Sequence, residues 1–414
     1  MPRALLLLPS GTYKAPDFMA AALSLGVDVV VASDRRQALS GTLGDRALTV
    51  PLGDPDRAAE RIVELAGRTR IDAVVAADDA GVLTAACAAE RLGLRGNPRA
   101  AAARTRDKAA MRAALASAGI AQPAHALVGP DDDVASAAAA LGLPCVLKPL
   151  GLSASRGVVR VDEPTSAARS AERVRAILVE AGGDPAREPL LVERYIPGVE
   201  VALEGLLCDG RLETLAIFDK PDPLEGPYFE ETMLVTPTRL PPLRAASVER
   251  TVADAAAALG LSEGPVHAEL RLPAGGPPTV LELAARTIGG LCARALRFGL
   301  GVSLEELVLR GALGLPLDGL ARERAAAGVT MLPIPAAGTL EEVRGVEEAR
   351  AVPGVAGIEL SIRPGRPVRP LPEGDRYLGF VFARGDLPED VERSLRAAEA
   401  QIDVRVAKAA PAAA

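Results

Sequence analysis

Two carboxylates and a guanidinium within one short stretch carry the plainest chemical signal in this chain. Residues 264–290, GPVHAELRLPAGGPPTVLELAARTIGG, read as two strands, VHAELRL and TVLEL, joined by a loop rich in Gly and Pro. Each strand carries one acid among apolar neighbours, Glu269 on the first and Glu282 on the second, and Arg286 follows four residues later. Desolvating a lone carboxylate costs several kcal/mol or more, so acids sit in buried strands when they are paired or ligated. Two of them on adjacent strands suggest a cation site. Oxygen ligands alone favour Mg2+ or Mn2+, with phosphate oxygens completing the shell. The alternative is a pair of solvent-facing acids on a half-exposed hairpin, and this stretch alone does not decide between the two.

Other residues have chemical potential and equally ordinary readings. Lys108 lies near the start of a predicted helix over residues 104–119, RTRDKAAMRAALASAG, where an exposed helix lysine is the plain alternative. Lys148 emerges from the apolar run CVL, which is too apolar for a surface strand. The loop after it, GLSASRGVVRV, places Gly151, Ser153, Ser155 and Gly157 where backbone N–H groups can close on phosphate oxygens and Lys148 can add a point charge. It is not a Walker loop, and a simple turn is the competing reading. Glu193 closes the strand LLV and Glu200 stands seven residues on. A strand end followed by a short linker can form an adenine slot with a ribose-binding acid beyond it, or the two can be surface glutamates. The Pro-rich loop PDPLEGPYFEETMLVTPTRLPP clusters Phe229, Glu230 and Glu231, and such a loop inside a compact domain is more often functional than not. His267 precedes Glu269 by two residues and shares its strand face, so it reads as a site group or as a satisfied core histidine.

The elements that must position these residues follow from periodicity. Residues 1–100 alternate short apolar runs (ALLLLP, VDVVVAS, DAVVAA) with helical patterns at 16–25, 55–68 and 81–92, which predicts βαβ units and a parallel sheet. Ser10-Gly11-Thr12 follows the first strand without a full GxGxxG, which points to a structural or substrate-side role. Helices are predicted over 164–181, 243–259 and 303–313. Beyond residue 315 a connector, LARERAAAG, leads to strands GVTMLPI, VAGIELSI and RYLGFVFARG, with helices over 340–349 and 387–402.

Composition narrows the function classes. At 414 residues the chain exceeds one core, and 49% apolar with 24% charged residues is globular. A formal charge of −7 without a basic run argues against nucleic acid and anionic membranes as partners. Five consecutive apolar residues after Arg3 are too few for a secretory segment or a membrane span. Four separated cysteines without CxxC spacing read as buried thiols in a reducing cytoplasm, and two histidines make a His-dominated zinc site an unsuitable reading.

Taken in order, Lys108, Lys148, the small-residue loop, Glu193, Glu200, Glu269, Glu282 and Arg286 closely resemble the ATP-grasp superfamily, over about residues 1–315. KPLGLSASRGV resembles the second lysine and phosphate loop, VERYIPGVEV the adenine and ribose segment, and HAELR with LELAAR the metal segment. The resemblance implies that Lys108, Lys148, Ser153, Ser155 and Gly157 contact ATP phosphates. It further implies that Glu193 and Ile196 flank adenine, that Glu200 binds ribose, and that Glu269 and Glu282 hold Mg2+ or Mn2+. One departure is Ala284, where the usual metal pattern has Asn, which puts the second metal in doubt.

LELAARTIGG, the loop at 220–237 and RYLGFVFARG resemble the carboxylate–amine ligase branch, specifically L-amino-acid ligases with their small C-terminal domain. Leu234 stands where that branch often has His, three residues after Glu231. The implied fold is a mixed α/β and α+β multidomain chain: a parallel βαβ domain over 1–103, a two-lobed ATP-grasp domain over 104–315 with its smaller lobe at about 123–195, a C-terminal α+β domain over 316–406, and a disordered tail at 407–414. The implied reaction is ATP-dependent joining of a small-molecule carboxylate and amine, with an amino acid as one or both substrates. Arg286 would stabilise the acylphosphate and the tetrahedral oxyanion, Glu231 would bind the substrate ammonium or accept its proton, and His267, on the strand face of Glu269, is the third candidate catalytic residue. A carboxylase-type or kinase-type ATP-grasp enzyme and an inactive nucleotide-binding protein are the alternatives. A homodimer is the family expectation.

Overall fold

The computed structural model describes residues 1–36, 44–299, 301–317, 319 and 321–408. At the N-terminus the strands Ala47–Thr49, Asp28–Ser33, Arg3–Leu7 and Ala73–Ala76 pair in that spatial order, all parallel. The run ALLLL is apolar throughout because both faces are covered: Leu5 and Leu7 join one core cluster, Ala4 and Leu6 another. Helices Ala15–Ser24, Pro55–Ala66 and Asp79–Leu92 follow the strands, as the sequence rhythm predicts.

The predicted helix over 104–119 is two helices. Arg99–Arg106 ends at Asp107, which is extended at φ −131° and caps Lys108–Ser117 by accepting from the N–H groups of Ala109 and Ala110. An aspartate at this position competes for the backbone more favourably as a cap than as a helix interior residue. The break places Lys108 at the first turn of the second helix.

A small lobe follows, a four-stranded antiparallel sheet in the order His125–Val128, Leu190–Arg194, Cys145–Pro149, Val159–Val161. Helices Val134–Leu141 and Pro164–Glu180 cover it through one cluster that includes Ala138, Val174, Leu147 and Val192. The large sheet has eight strands, all antiparallel: Thr279–Ala284, Gly264–Leu272, Val199–Cys208, Arg211–Asp219, Met233–Thr236, Ala326–Leu332, Gly379–Gly385 and Val355–Leu360. Its last three strands come from the C-terminal unit, joined where Met233–Thr236 pairs with Ala326–Leu332. The C-terminal unit therefore shares a sheet with the larger lobe.

Three details of this unit depart from the sequence reading. Where a helix over 340–349 is expected, Gly338–Arg344 is a strand paired with Asp403–Lys408, and only Val346–Arg350 is helical. Gly345 separates them at φ 76°, and a Cβ there would fall 1.7 Å from the Gln401 carbonyl oxygen, so the backbone turns where a continuing helix cannot. Long-range pairing overrides the helical propensity of the Glu-rich segment. Ala407 and Lys408, expected in the tail, close the strand Asp403–Lys408, while 409–414 lie outside the described residues. The connector is part strand, because Ala326–Leu332 begins within it; Leu320 lies outside the described residues. Among the described residues no helix is long and apolar enough to cross a membrane.

Candidate active site

A cavity of about 480 Å3 opens where the small lobe, the large sheet, the N-terminal domain and the C-terminal unit meet. Its floor is the hairpin. Glu269 and Glu282 are direct cross-strand partners, with a bulge beginning immediately after Glu269. Like charges directly opposite are destabilising in a sheet unless something positive lies between them, and a bulge is a common device for aiming a side chain at a site. On its other side Glu269 faces Ala202, whose small side chain leaves room above the strand.

Cations already surround the pair. Glu269 Oε2 is 3.7 Å from Lys220 Nζ, its Oε1 is 3.5 Å from His267 Nε2, and Glu282 Oε2 is 3.6 Å from Lys108 Nζ. Burial pushes the Glu269 carboxyl up, but Lys220 and His267 outweigh it and hold the group well below the usual carboxylate range. Its side chain still turns 28% of its surface to the cavity. Among the described residues no three His, Cys, Asp or Glu side chains converge as a metal set. The donor set thus fits a hard cation that takes its remaining oxygens from a bound phosphate or water.

The lysines expected at the phosphates both reach the cavity. Lys108 Nζ donates to Leu152 O at 2.7 Å, tying it to the small-residue loop, and burial lowers its pKa. Lys148 Nζ lies 2.6 Å from Glu193 Oε2, while Arg112 Nε donates to Glu193 Oε1 at 2.5 Å. In the loop, Ala154 and Ser155 adopt left-handed φ of 58° and 53°, the backbone form that turns N–H groups toward a common point. Ser153 and Ser155 line the cavity. Gly157 does not: its N–H is donated to Pro372 O at 2.9 Å, and at φ 71° a Cβ would meet Pro149 at 3.2 Å. Its glycine serves the turn and its contact with the C-terminal unit.

The two glutamates expected at the nucleotide, Glu193 and Glu200, both line the cavity and both are paired with cations. Glu193 takes Arg112 on Oε1 and Lys148 on Oε2. Burial raises its carboxyl pKa, but those two cations prevail and bring it down to about 2. Glu200 likewise holds Lys220 on Oε1 and Arg271 on Oε2, each at 2.7 Å. Both acids hold pairs of buried cations at the cavity wall. Ile196 lies there with Tyr195, whose ring stacks at 6.3 Å on Phe229 and lies under Arg160.

Arg286 is placed by the N-terminal domain. Its Nε lies 3.1 Å from Asp79 Oδ2, and Asp79 Oδ1 takes Arg106 at 2.8 Å. Lys14, also from the N-terminal domain, is almost fully buried and donates to Ala77 O, Thr287 O and Thr287 Oγ1 at 2.9–3.2 Å. His267 donates from Nδ1 toward Glu204 Oε2 at 3.1 Å; burial lowers its pKa, and Glu204 with Glu269 more than reverses that. Glu231 contacts Lys220, whose pKa is lowered by burial but raised further by Glu200, Glu231 and Glu269, with a net shift well upward. Near this end stand Met331, Tyr377 and Tyr13.

Sequence reasoning passed over Lys220, Arg112, Glu204, Arg271, Asp79 and Lys14. Two of them carried the signal used elsewhere: Lys220 ends an apolar strand as Lys148 does, and Glu204 interrupts VALEGLL as Glu269 interrupts its own strand. Arg112 lies four residues after Lys108, on the same helix face. Asp79 and Lys14 have no local mark.

Comparison with known proteins finds three domain matches along the chain. Residues 141–295 match an ATP-grasp domain model, 330–407 an L-amino acid ligase C-terminal domain and 19–96 an ATP-grasp N-terminal domain. The alanine–anticapsin ligase of Bacillus subtilis is 30% identical over 269 residues, 61% of this chain and 56% of that protein. The chain thus spans little more than half the length of that relative. The D-alanine–D-alanine ligase of Cupriavidus necator is 26% identical over 53% of this chain and 66% of its own length. Among solved structures, an L-amino acid ligase from Bacillus licheniformis superposes with a TM-score of 0.81 at 25% identity, covering 99% of both chains.

Proposed function

We propose that this chain, which matches ATP-grasp domain models and an L-amino acid ligase C-terminal domain model, is an ATP-dependent carboxylate–amine ligase acting on amino acids. The observation that carries the reading is Glu269 opposite Glu282, with Lys108 Nζ 3.6 Å from Glu282 Oε2 and Arg286 lining the same cavity. We take residues 104–315 as the catalytic domain between an N-terminal domain over 1–103 and a C-terminal one over 316–406.

In the proposed reaction a substrate carboxylate oxygen attacks the γ-phosphorus of ATP, and the bond from phosphorus to the ADP oxygen breaks. An amine then attacks the acyl carbon of the acylphosphate. The carbon–oxygen bond to phosphate breaks, and the nitrogen gives up its proton. Such transfers need charge neutralisation and positioning more than covalent help from the protein. Mg2+ or Mn2+, held by Glu269 and Glu282, supplies charge neutralisation at the phosphates. Lys108 and Lys148 steady the phosphates from the small-lobe side, with the turned N–H groups near Ala154 and Ser155. Arg286, held by Asp79, faces the oxygens that gain charge. Glu231 pairs with Lys220 beside the cavity, where its carboxyl suits a substrate ammonium. Tyr13 offers a hydroxyl to the same substrate.

The test is release of ADP over pairs of amino acids, with mass detection of the condensed product. A product whose formation needs both a free carboxylate and a free amine supports the reading. ADP release driven by bicarbonate, or a stable phosphorylated product, would reject it. Glu282→Gln is expected to abolish metal-dependent turnover, and near wild-type turnover in that variant would remove the metal assignment.

A further inference from the structure

Glu204 is the most completely enclosed acid near the site, with 0% exposure, and it contacts no ATP-facing group directly. It sits directly across from His267 in the pairing of Val199–Cys208 with Gly264–Leu272. Its carboxylate satisfies two donors. His267 Nδ1 approaches Oε2 at 3.1 Å, and the backbone N–H of Ile288 approaches the two oxygens at 3.1 and 3.2 Å. The first contact fixes the imidazole, whose Nε2 then stands 3.5 Å from Glu269 Oε1. The second fixes the loop that begins at Arg286, two residues before Ile288. A carboxylate without any exposure is retained in a sheet at a cost of several kcal/mol unless its partners compensate it, and here they belong to the two halves of the site.

We infer that Glu204 is a positioning residue that locks the metal-binding carboxylate Glu269, through His267, and the Arg286 loop, through Ile288, at one fixed separation. The inference rests on the reading of Glu269 and Glu282 as metal ligands. A neutral amide at position 204 leaves one acceptor oxygen where His267 Nδ1 and the Ile288 N–H now share two, sets an NH2 group against the Ile288 N–H, and removes the negative charge facing the imidazole, so the double hold is loosened. Outer-shell partners of this kind typically alter metal affinity by about 10–100-fold.

The experiment uses the full-length protein saturated with a nonhydrolysable ATP analogue, titrated with Mn2+ and followed by the paramagnetic resonance of free Mn2+. Glu204→Gln is expected to weaken Mn2+ binding by about tenfold or more and to lower kcat at saturating Mn2+, with a cooperative unfolding transition retained. Unchanged Mn2+ affinity and kcat in the folded variant would overturn the inference. So would a lowered unfolding temperature with both constants intact, which is the mark of a merely structural role. If Glu204→Gln does not fold, His267→Asn decides. It keeps a donor toward Glu204 but withdraws Nε2 from Glu269, so weakened Mn2+ binding supports the relay and unchanged binding overturns it. Glu282→Gln, run in parallel, separates the two readings: if it binds Mn2+ like the wild type, the metal assignment fails, whatever Glu204 does.

Discussion

At the residue scale, Glu193 and Glu200 are buried acids that each hold two cations, and this determines what single substitutions do. Glu193 holds Arg112 and Lys148, so Glu193→Gln leaves two buried charges without their partner and is expected to cost about 3–5 kcal/mol. Its pH dependence has a definite sign. The folded-state pKa is depressed from 4.5 to about 2, so the stabilisation is complete above about 4.5 and is lost as pH falls from there toward 2. Acid unfolding followed by circular dichroism should therefore be less steep in Glu193→Gln than in wild type over that range, and identical profiles would contradict the ion-pair account. In the proposed reaction Arg286 faces the charge that develops on the transferred group. Arg286→Ala is expected to lower kcat by on the order of 10^3-fold, as for other arginines in phosphoryl transfer. Single-turnover rates with the amino acid substrates would read this out, and a loss under tenfold would exclude Arg286 from stabilising transferred charge.

At the element scale, the loop between Cys145–Pro149 and Val159–Val161 is tied to the C-terminal unit rather than left as a loose flap. Gly157 donates to Pro372 O, Arg156 Nε donates to Glu373 O at 3.2 Å, and Arg173 pairs with the Glu373 carboxylate at 2.6 and 3.0 Å. Arg173 is 42% exposed, so its ion pair contributes at most about 1 kcal/mol, and the backbone contact at Gly157 is the stronger tie. Gly157→Ala would force a Cβ into a left-handed position against Pro149, at about 1–2 kcal/mol. Amide hydrogen exchange over residues 151–158 should then accelerate by about 5–30-fold, whereas Arg173→Ala should change it by less than about fivefold. The reverse order would show that the side-chain latch dominates.

At the scale of the whole molecule, the catalytic loop is held from a domain more than two hundred residues away in sequence. Lys14 spans from the first helix to Thr287, with |i−j| of 273, and Asp79 spans to Arg286 with 207. Lys14→Met removes the donor for Ala77 O, Thr287 O and Thr287 Oγ1 inside a dry interface, so a loss of about 1–3 kcal/mol is expected. Differential scanning calorimetry should show a lowered transition. Turnover should fall with it, because the Arg286 loop loses its fixed backing. Normal turnover with an unchanged transition would mean that the N-terminal domain does not support the site. The large sheet adds a second form of integration, since Met233–Thr236 to Ala326–Leu332 makes the C-terminal strands a continuation of the catalytic floor.

The residues that announced themselves in the sequence were those whose charge conflicts with their local surroundings. Glu269, Glu282 and Lys148 stand in apolar strands, and the energy of an unpaired buried charge makes such positions conspicuous without any fold. The alternation of ALLLLP, VDVVVAS and DAVVAA with helical patterns likewise determined the N-terminal parallel sheet, because period and length are local properties. Tertiary structure alone decided the pairings: Glu193 with Arg112, Glu200 with Arg271, Glu204 with His267 and Ile288. It also decided that Gly338–Arg344 is a strand and that the C-terminal unit extends the large sheet. Ion pairs and strand ladders join segments distant in sequence, and their partners are set by register and packing, which no window of neighbouring residues contains.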